Sequence, residues 1–309
     1  MSKPLRSGAL GALLLLAPGC APGGPAGARR TPGQSPSALA TPSAPASPTP
    51  SPAPAAATAS AAPVQAGSVF LIVMENKTAA AALDPGAAPY TAALARRYGS
   101  ATAYHAVSHP SLPNYLALTS GSTWGIADDG YHRLPAGGIG AQLSAAGIPW
   151  RAYLEGMSHG CFGAGTRYAV KHNPFAYYGG ACPPNVVSLD PLAADLRAGT
   201  PRFLYIKPDL CHDTHDCPVA SGDAWLRQWV GAILASPAWR AGGTLFLTWD
   251  EGTGSNNRVA ALVIRPDVAG RTSARAYDHY SLLATIEDLL GVPRLGQAAR
   301  ANPMRDLLG

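Results

Sequence analysis

The chain has little charge and no dense run of charge of either sign. Of its 309 residues, 13% are Asp, Glu, Lys or Arg, and the formal net charge of +5 is not gathered into basic runs. Proteins that bind nucleic acid normally carry a basic patch or stripe, so we predict no nucleic-acid partner. Long apolar runs are also missing, because the run at residues 9–17 is too short to cross a membrane.

The first 66 residues lack the composition of a folded domain. A basic start, the apolar run at residues 9–17 and a small-residue stretch ending at Cys20 have the layout of a secretory signal peptide. The next stretch consists almost entirely of Ala, Pro, Ser, Thr and Gly, which bury too little apolar surface to fold. The sequence predicts three parts: a signal peptide over residues 1–20, a disordered tether over 21–66 and one large domain over 67–309.

Cysteine is scarce, with five residues in the chain. The stretch Leu-Ala-Pro-Gly before Cys20 resembles a bacterial lipoprotein signal, so we expect Cys20 to be lipidated and the domain to be extracellular or at the cell surface. Four further cysteines in an exported chain suggest two disulfides, for which three connectivities exist. The simplest pairs Cys161 with Cys182 and Cys211 with Cys217. A zinc site of thiolates and nearby histidines is the alternative, although the spacings match no common zinc pattern.

Short apolar runs alternate with helix-like segments after residue 66. The apolar runs are of strand length and near-continuous, which is typical of strands buried on both faces; they cover residues 69–74, 103–107, 203–206, 244–249 and 260–264. The helix-like segments cover residues 90–98, 113–119, 139–146, 192–197, 224–235 and 280–290. This alternation predicts a three-layer α/β sandwich with a mostly parallel central sheet.

Polar side chains follow the strand-like runs, at the edge where a parallel sheet binds ligands. The chain has only four glutamates, and three of them, Glu75, Glu155 and Glu251, follow apolar stretches of strand length, although the stretch before Glu155 is not among the five runs above. The candidates at this edge are Glu75, Asn76, His109, Ser111, Asp209, His212, Asp213, His215, Asp216, Asp250 and Glu251, joined by Asp278 and His279 at the start of the last helix. Four of the five runs end in such groups, which is a pattern, whereas one polar strand end would mean little.

Ser111 is the candidate nucleophile among them. Pro113 and an apolar run follow it, so we expect Ser111 where a turn becomes a helix, with Pro113 in the first helical turn. Free backbone N–H groups and the positive end of the helix dipole favour an anion at that position. A phosphoryl group could therefore be held and attacked at one place. The alternative is that Ser111 only caps the helix.

The acidic and histidine residues of this edge suit a metal or a phosphate. Glu75 with Asn76 and Asp250 with Glu251 offer oxygen ligands for a divalent ion, although the second pair could equally form a solvated turn. The loop over residues 211–217 places two histidines and two aspartates in a short segment, with a merely polar loop as the alternative. Glu155 and His172 stay open, either near this site or paired at the surface.

Several motifs together resemble one enzyme family. They are HPSLPNYLALTSG, MEN after the first strand, PDLCHDTHDC, TWDEG followed by NRVAALVI, and YDHYSLLATIEDLLGVPRLGQA. In order and over about residues 68–298, they resemble the bacterial phosphoesterase family that includes acid phosphatases and phospholipases C, within the alkaline phosphatase superfamily. The resemblance implies an alkaline phosphatase-like fold and hydrolysis of a phosphate ester through a phosphorylated hydroxyl.

The resemblance also implies roles for individual residues. It makes Ser111, His215 and His279 catalytic. It implies a divalent metal site formed by Glu75, Asn76, Ser111, Asp250 and Glu251. It implies contacts to the substrate from Asn76, His109, Asn114 and Asp213. Asp213, His215 and His279 resemble a group that binds a second metal in other branches of the superfamily, so the identity and number of metal ions stay open.

A small phosphomonoester is the expected substrate, because the chain has little room for the extra segments of the larger phospholipases. The expected membrane tether argues weakly for a phospholipid and a phospholipase C-type reaction, and the oligomeric state stays open. A Ser-His-Asp esterase is disfavoured because no Gly-x-Ser-x-Gly elbow surrounds any serine. A sulfatase would need an arginine where Tyr115 stands. A non-catalytic metal- or solute-binding protein could use the same acidic residues without a nucleophile.

Overall fold

The computed structural model describes residues 67–163 and 165–309. The predicted signal peptide and tether lie outside the described residues. Within the described part of the chain, no helix combines the length and apolarity that a membrane span requires.

The described strands form one sheet in the order β4-β3-β5-β1-β6-β7-β2-β8. In chain order they are β1 (Val69–Met74), β2 (Gly99–His105), β3 (Trp150–Leu154), β4 (Val186–Ser188), β5 (Phe203–Lys207), β6 (Thr244–Trp249), β7 (Ala261–Ile264) and β8 (Thr272–Asp278). Strand β7 runs antiparallel to both of its neighbours, and the other pairs are parallel. The predicted mostly parallel sheet is confirmed.

The helices pack in two separate groups against this sheet. They are α1 (Ala79–Ala82), α2 (Pro89–Arg97), α3 (Ser111–Ser120), α4 (Gly138–Ala145), α5 (Leu192–Ala198), α6 (Val219–Ala235), α7 (Pro237–Arg240) and α8 (His279–Leu290). Helix α3 packs against α4 and α8, whereas α6 packs against α2, α5 and α7. Two helix groups and one sheet make the three layers that the alternating pattern predicts.

Three strands escaped the sequence prediction, and each has a physical reason. Strands β4 and β8 are the two edges of the sheet, so they need no apolar run on both faces. Strand β4 has three residues, and most side chains of β8 are exposed. Strand β3 is largely buried but is interrupted by Arg151. Strand β2 lies at Gly99–His105 and so begins before the predicted run at residues 103–107.

The two disulfides have the predicted connectivity. Cys161 is bonded to Cys182 with an S–S distance of 2.04 Å, and Cys211 is bonded to Cys217 at 2.07 Å. These cysteines therefore do not form the alternative zinc site. The second disulfide closes the loop that follows β5, which also contains Asp213 and His215.

The central strands bring the site residues together at their carboxyl ends. Every residue of β1 and β6 is buried, and the two strands pair in register up to Met74 and Trp249. The next residues, Glu75 and Asp250, therefore leave the sheet side by side. The backbone N–H of Glu75 also donates to the carbonyl of Asp213 at 2.9 Å, which ties the loop after β5 to the same place.

Candidate active site

Ser111 is the first residue of α3 and is 1% exposed. Pro110 occupies the N-cap position, and Pro113 lies in the first turn as predicted. The alternative in which Ser111 only caps the helix is wrong, because its hydroxyl instead contacts two acids. Its Oγ lies 2.6 Å from Oε1 of Glu75 and 3.1 Å from Oε1 of Glu251.

Three buried carboxyl groups, from Glu75, Asp250 and Glu251, follow the carboxyl ends of β1 and β6. Those of Glu75 and Glu251 contact the Ser111 hydroxyl. The backbone N–H of Asn76 donates to Oδ1 of Asp250 at 2.9 Å. Asn76 has a φ of 51°, a left-handed conformation that asparagine tolerates better than most residues. Oδ2 of Asp250 is buried and has no hydrogen-bond partner among the described residues.

This carboxyl cluster is short of positive charge. Burial, reinforced by the negative charge of Glu75, raises the pKa of Asp250 well above its usual range. Burial also raises the pKa of Glu251, although His109 opposes the shift. Moreover, one serine hydroxyl has a single proton to donate and cannot satisfy two ionised carboxylates at once. A cation at this position would relieve both problems, so the donor set fits a divalent metal.

A second cluster shares Glu75 but contains its own cation. Lys207, the last residue of β5, is 2% exposed, and its Nζ lies 2.6 Å from Oδ2 of Asp213 and 3.5 Å from Oε2 of Glu75. His172 lies between the same two acids, with Nε2 at 3.0 Å from Oε1 of Glu75 and Nδ1 at 3.4 Å from Oδ2 of Asp213. Tyr115 donates a short hydrogen bond to Oε2 of Glu75.

The charges of this second cluster favour ionised acids. Burial alone would raise the pKa of Glu75, but His172 and Lys207 outweigh it and hold that pKa well below its usual range. Burial would likewise raise the pKa of Asp213, but the positive charge of Lys207 and the contact with His172 outweigh burial and lower that pKa. Ion pairing thus compensates desolvation on this side of the site.

Groups of three or more His, Cys, Asp or Glu ligand atoms within 4.8 Å of one another occur twice among residues 67–163 and 165–309. The first is Glu75, His172 and Asp213, and the second is Glu155, Asp209 and His212. In the second group, Oε2 of Glu155 accepts from the backbone N–H of Asp209 at 3.0 Å and lies 3.0 Å from Nδ1 of His212. His172 therefore belongs to the candidate site, whereas Glu155 pairs outside it.

His279 is fully buried and contacts the site from within the protein. Its Nε2 lies 2.5 Å from the carbonyl oxygen of Asp250, and its Nδ1 lies 2.9 Å from the hydroxyl of Tyr104. Burial lowers the pKa of His279 to about 4, so the ring is neutral at neutral pH. Because a carbonyl only accepts, Nε2 carries the proton and Tyr104 donates to Nδ1. In this structure His279 positions the backbone of Asp250.

The other predicted contact residues lie around Ser111 in different ways. His109, with a side chain that is 50% exposed, makes a short contact from Nδ1 to Oε2 of Glu251. His215 is partly exposed, pairs with Asp216, and has its ring centroid 6.4 Å from that of His172.

Asn114 is fully buried, and its amide is occupied by backbone groups. Oδ1 accepts from the N–H groups of Val107 and Ser108, and Nδ2 donates to the carbonyls of Ser108 and Pro110. In this structure Asn114 therefore fixes the loop that carries His109 and Ser111, and its contact with substrate stays a prediction.

The sequence patterns predict neither Lys207 nor Tyr115 as a site residue, and they leave the position of His172 open. Lys207 directly follows the apolar run at residues 203–206, so the strand-end rule that selected Glu75 and Asp250 would have selected it too. Tyr115 lies one turn after Ser111 in α3, where it looked like part of an apolar stripe. His172 lies in a short 3-10 helix at Val170–His172, which no apolar run foretells.

Comparisons with known proteins assign this arrangement to a family. A family model described as "Phosphoesterase family" matches residues 65–293. The chain belongs to this family. It is 32% identical over 255 residues to a phosphatidylinositol-3-phosphatase of Mycobacterium tuberculosis, covering 78% of this chain and 82% of that protein. Membership makes the chain a hydrolase that acts on phosphoric ester bonds.

A fungal relative and two solved structures complete the comparison. An acid phosphatase of Aspergillus fumigatus is 28% identical over 221 residues, covering 63% of this chain and 49% of that protein, so the chain spans about half of that relative. An alkaline phosphatase superfamily protein from Vibrio parahaemolyticus matches with a TM-score of 0.55 at 12% identity, over 78% of this chain and 71% of that chain. A phosphonate monoester hydrolase of Agrobacterium radiobacter matches with a TM-score of 0.53 at 12% identity, over 77% and 78%. These structures confirm the alkaline phosphatase-like fold.

Proposed function

We propose that this chain is an exported, metal-dependent phosphomonoesterase that acts through a phosphoserine at Ser111. One observation carries the proposal. Ser111 is the first residue of α3, and its buried hydroxyl contacts the carboxyl groups of Glu75 and Glu251. The neighbouring acid in sequence, Asp250, has a buried oxygen without a partner among the described residues. A metal- or solute-binding protein would need the acids but not a hydroxyl in this place. The positive end of the α3 dipole adds attraction for the phosphoryl group.

The residues of the chain divide the work as follows. Glu75, Asp250, Glu251 and Oγ of Ser111 would hold a divalent ion, which when bound would acidify the hydroxyl and neutralise the phosphoryl oxygens. Glu75 orients Oγ through the 2.6 Å contact. Oγ then loses its proton and attacks phosphorus. The bond from phosphorus to the alcohol oxygen breaks, and that oxygen takes up a proton and leaves as the alcohol. Water hydrolyses the phosphoserine to restore the Ser111 hydroxyl and release phosphate.

Three further groups serve this reaction in the proposal. His279 holds the Asp250 backbone through the 2.5 Å contact, which sets the direction of the carboxyl group. His109 and His215 keep exposed ring atoms at the edge of the site, where they can contact the phosphoryl oxygens or the leaving alcohol. Such positioning and charge stabilisation are the main contributions a protein makes to phosphoryl transfer.

The relatives favour a phosphomonoester over a phosphodiester substrate. One is named for a phosphate on phosphatidylinositol, and the other is named an acid phosphatase. Neither name describes a phospholipase C, so phospholipase C-type hydrolysis is the second candidate. A phosphomonoester on a lipid headgroup would satisfy both the expected chemistry and the expected membrane tether.

Export is part of the proposal and rests on the cysteines. The described domain holds two disulfides, and such bonds persist mainly in oxidising compartments outside the cytosol. This supports the signal peptide expected at residues 1–20. Lipidation of Cys20 would then anchor the domain to the membrane through the segment at residues 21–66.

A substrate panel tests the proposed activity. Purified protein is stripped with chelator, its metal content is measured, and divalent ions are added back one at a time. We expect p-nitrophenyl phosphate and a phosphoinositide to be hydrolysed only after metal is restored, and bis(p-nitrophenyl) phosphate and phosphatidylcholine to be hydrolysed far more slowly. Turnover by protein shown to be metal-free would contradict metal dependence. Preferential cleavage of the diesters would favour the phospholipase C-type reaction.

A further inference from the structure

Lys207 is a buried cation for which the proposed reaction has so far given no role. Its ammonium group lies 2.6 Å from Asp213 and 3.5 Å from Glu75, and it sits 5.5 Å from the ring centroid of Tyr115. A lysine that is 2% exposed is costly to bury unless its charge is matched. Two carboxylates and the face of an aromatic ring balance the charge of this lysine, so its buried position is stable.

The same carboxylates belong to a potential metal site. The ligand atoms of Glu75, His172 and Asp213 lie within 4.8 Å of one another, which is close enough to surround one ion. However, Lys207 contacts Oδ2 of Asp213, the oxygen that His172 also faces, and Oε2 of Glu75. A divalent ion here would have to share these oxygens with a fixed positive charge only a few ångströms away, at a large electrostatic cost.

We propose that Lys207 takes the place of a second metal ion, so that this phosphoesterase site holds a single divalent ion. That ion lies on the side of Asp250 and Glu251, where no described lysine or arginine pairs with the carboxylates. Lys207 then supplies a fixed positive charge beside Glu75, which both clusters share. The inference rests on the proposed metal dependence of the enzyme and deepens it by fixing the number of ions.

The role of Lys207 in this arrangement is positioning. Its ammonium group occupies Oδ2 of Asp213 and Oε2 of Glu75, so these oxygens do not bind a second ion. The other oxygen of Glu75, Oε1, remains in contact with Ser111. A plain structural ion pair would make the same contacts. The two roles differ in one measurable respect: only the first predicts that removing the ammonium group opens a second metal site.

Counting bound ions tests the inference directly. Chelator-stripped protein is titrated with Mn²⁺ by calorimetry, and the bound metal is counted after gel filtration. We compare the wild-type protein with Lys207→Gln, which removes the charge, and Lys207→Arg, which keeps it. Lys171→Gln is the matched control, because Lys171 is also near the site but pairs with Asp129 at 2.8 Å.

We expect about one ion per chain for wild type, Lys207→Arg and Lys171→Gln, and about two for Lys207→Gln. Two Mn²⁺ ions in such a site would lie about 4 Å apart, so electron paramagnetic resonance should show a coupled signal in Lys207→Gln only. Two coupled ions in the wild-type protein would overturn the inference, even if Lys207→Gln failed to fold.

The remaining outcomes separate this inference from the proposed function. One ion in the wild type and still one ion in folded Lys207→Gln would refute the role of Lys207 and leave the metal-dependent activity standing. No bound ion in the wild type would refute both. A second ion gained by Lys171→Gln as well would show that the count depends on overall charge and would also overturn the role of Lys207.

Discussion

Asp213 and Asp250 are both buried aspartates at the carboxyl edge of one sheet, yet their surroundings differ. Asp213 lies beside Lys207 and His172, which lower its pKa against the effect of burial. Asp250 has no such partner, and burial with the charge of Glu75 raises its pKa well above its usual range. One oxygen of Asp250 has no partner among the described residues.

The difference shows where the protein supplies its own positive charge and where it requires an added one. The Asp213 side is balanced by a lysine that cannot leave. The Asp250 side collects carboxylates that repel each other, a destabilising arrangement that persists in natural proteins mainly at functional sites. Glu75 joins the two sides, so a change on either side should reach Ser111.

The largest expected effect comes from Ser111, which both sides approach through Glu75. Ser111→Ala should reduce phosphate release by several orders of magnitude, because it removes the nucleophile. The fold should be nearly unchanged, and at saturating metal the ion should still be held by the carboxyl groups of Glu75, Asp250 and Glu251. The rate is measured with p-nitrophenyl phosphate and the metal by elemental analysis.

Ser120→Ala is the matched control, since Ser120 is also buried in α3 but donates to the backbone carbonyl of Leu116 at 2.8 Å. It should retain nearly wild-type activity. Activity of Ser111→Ala within about tenfold of wild type would rule out a nucleophilic role for this serine.

Metal affinity should distinguish the two aspartates next. Asp250→Asn removes a formal charge from the side that lacks a cation, so we expect the metal dissociation constant to rise about 100-fold or more. Asp213→Asn lies on the lysine side and should raise it by about tenfold or less. Calorimetric titration of stripped protein measures both. Equal losses in the two variants would contradict the division of the site.

The Cys211–Cys217 disulfide should affect catalysis more than stability. It closes a short loop that carries Asp213, so by the chain-entropy estimate it contributes only about 2 to 3 kcal/mol. Replacing both cysteines by serine should free the loop and lower kcat about tenfold or more, because a small misplacement of site residues is costly.

The Cys161–Cys182 pair provides the comparison, since its removal should lower stability without a matching loss of kcat. Thermal unfolding and turnover are measured on the same preparations. If the Cys211 and Cys217 double variant keeps wild-type kcat, the disulfide does not position the site.

Much of the fold and part of the candidate site could be predicted from sequence. Strands buried on both faces, such as β1 and β6, are apolar throughout and were located to the residue. The rule that ligands lie beyond the carboxyl ends of parallel strands then selected Glu75 and Asp250. The position of Ser111 followed from the proline and apolar residues after it.

The rest depends on contacts that sequence patterns do not encode. The pairing of Lys207 with Asp213 requires knowing how the loop after β5 folds back onto β1. His172 comes from a short 3-10 helix, which has no periodic signal. The buried position of His279 behind the Asp250 carbonyl depends on the packing of α8, whereas the catalytic role expected of His279 came from the family resemblance.

The smallest expected effect is an opposite pH dependence of the two aspartates in the metal-free protein. The pKa of Asp250 is raised in the folded state, so its contribution to the free energy of unfolding is favourable at low pH. That contribution is lost as the pH rises from about 3.9, the pKa in the unfolded state, through the raised pKa of the folded state. The pKa of Asp213 is lowered in the folded state, so its favourable contribution to the free energy of unfolding is present above about pH 3.9. That contribution is lost as the pH falls through the lowered pKa.

At pH 7 and without metal, Asp250→Asn should therefore stabilise the fold and Asp213→Asn should destabilise it, each by about 1 to 2 kcal/mol. Urea unfolding of stripped protein at several pH values measures both changes. With saturating metal, Asp250→Asn should instead destabilise the fold, because the wild-type Asp250 carboxylate binds the ion more tightly than an asparagine side chain does. Destabilisation by Asp250→Asn in the metal-free protein would mean that its carboxyl group is already matched by a charge within the fold, and the contrast between the two sides would fail.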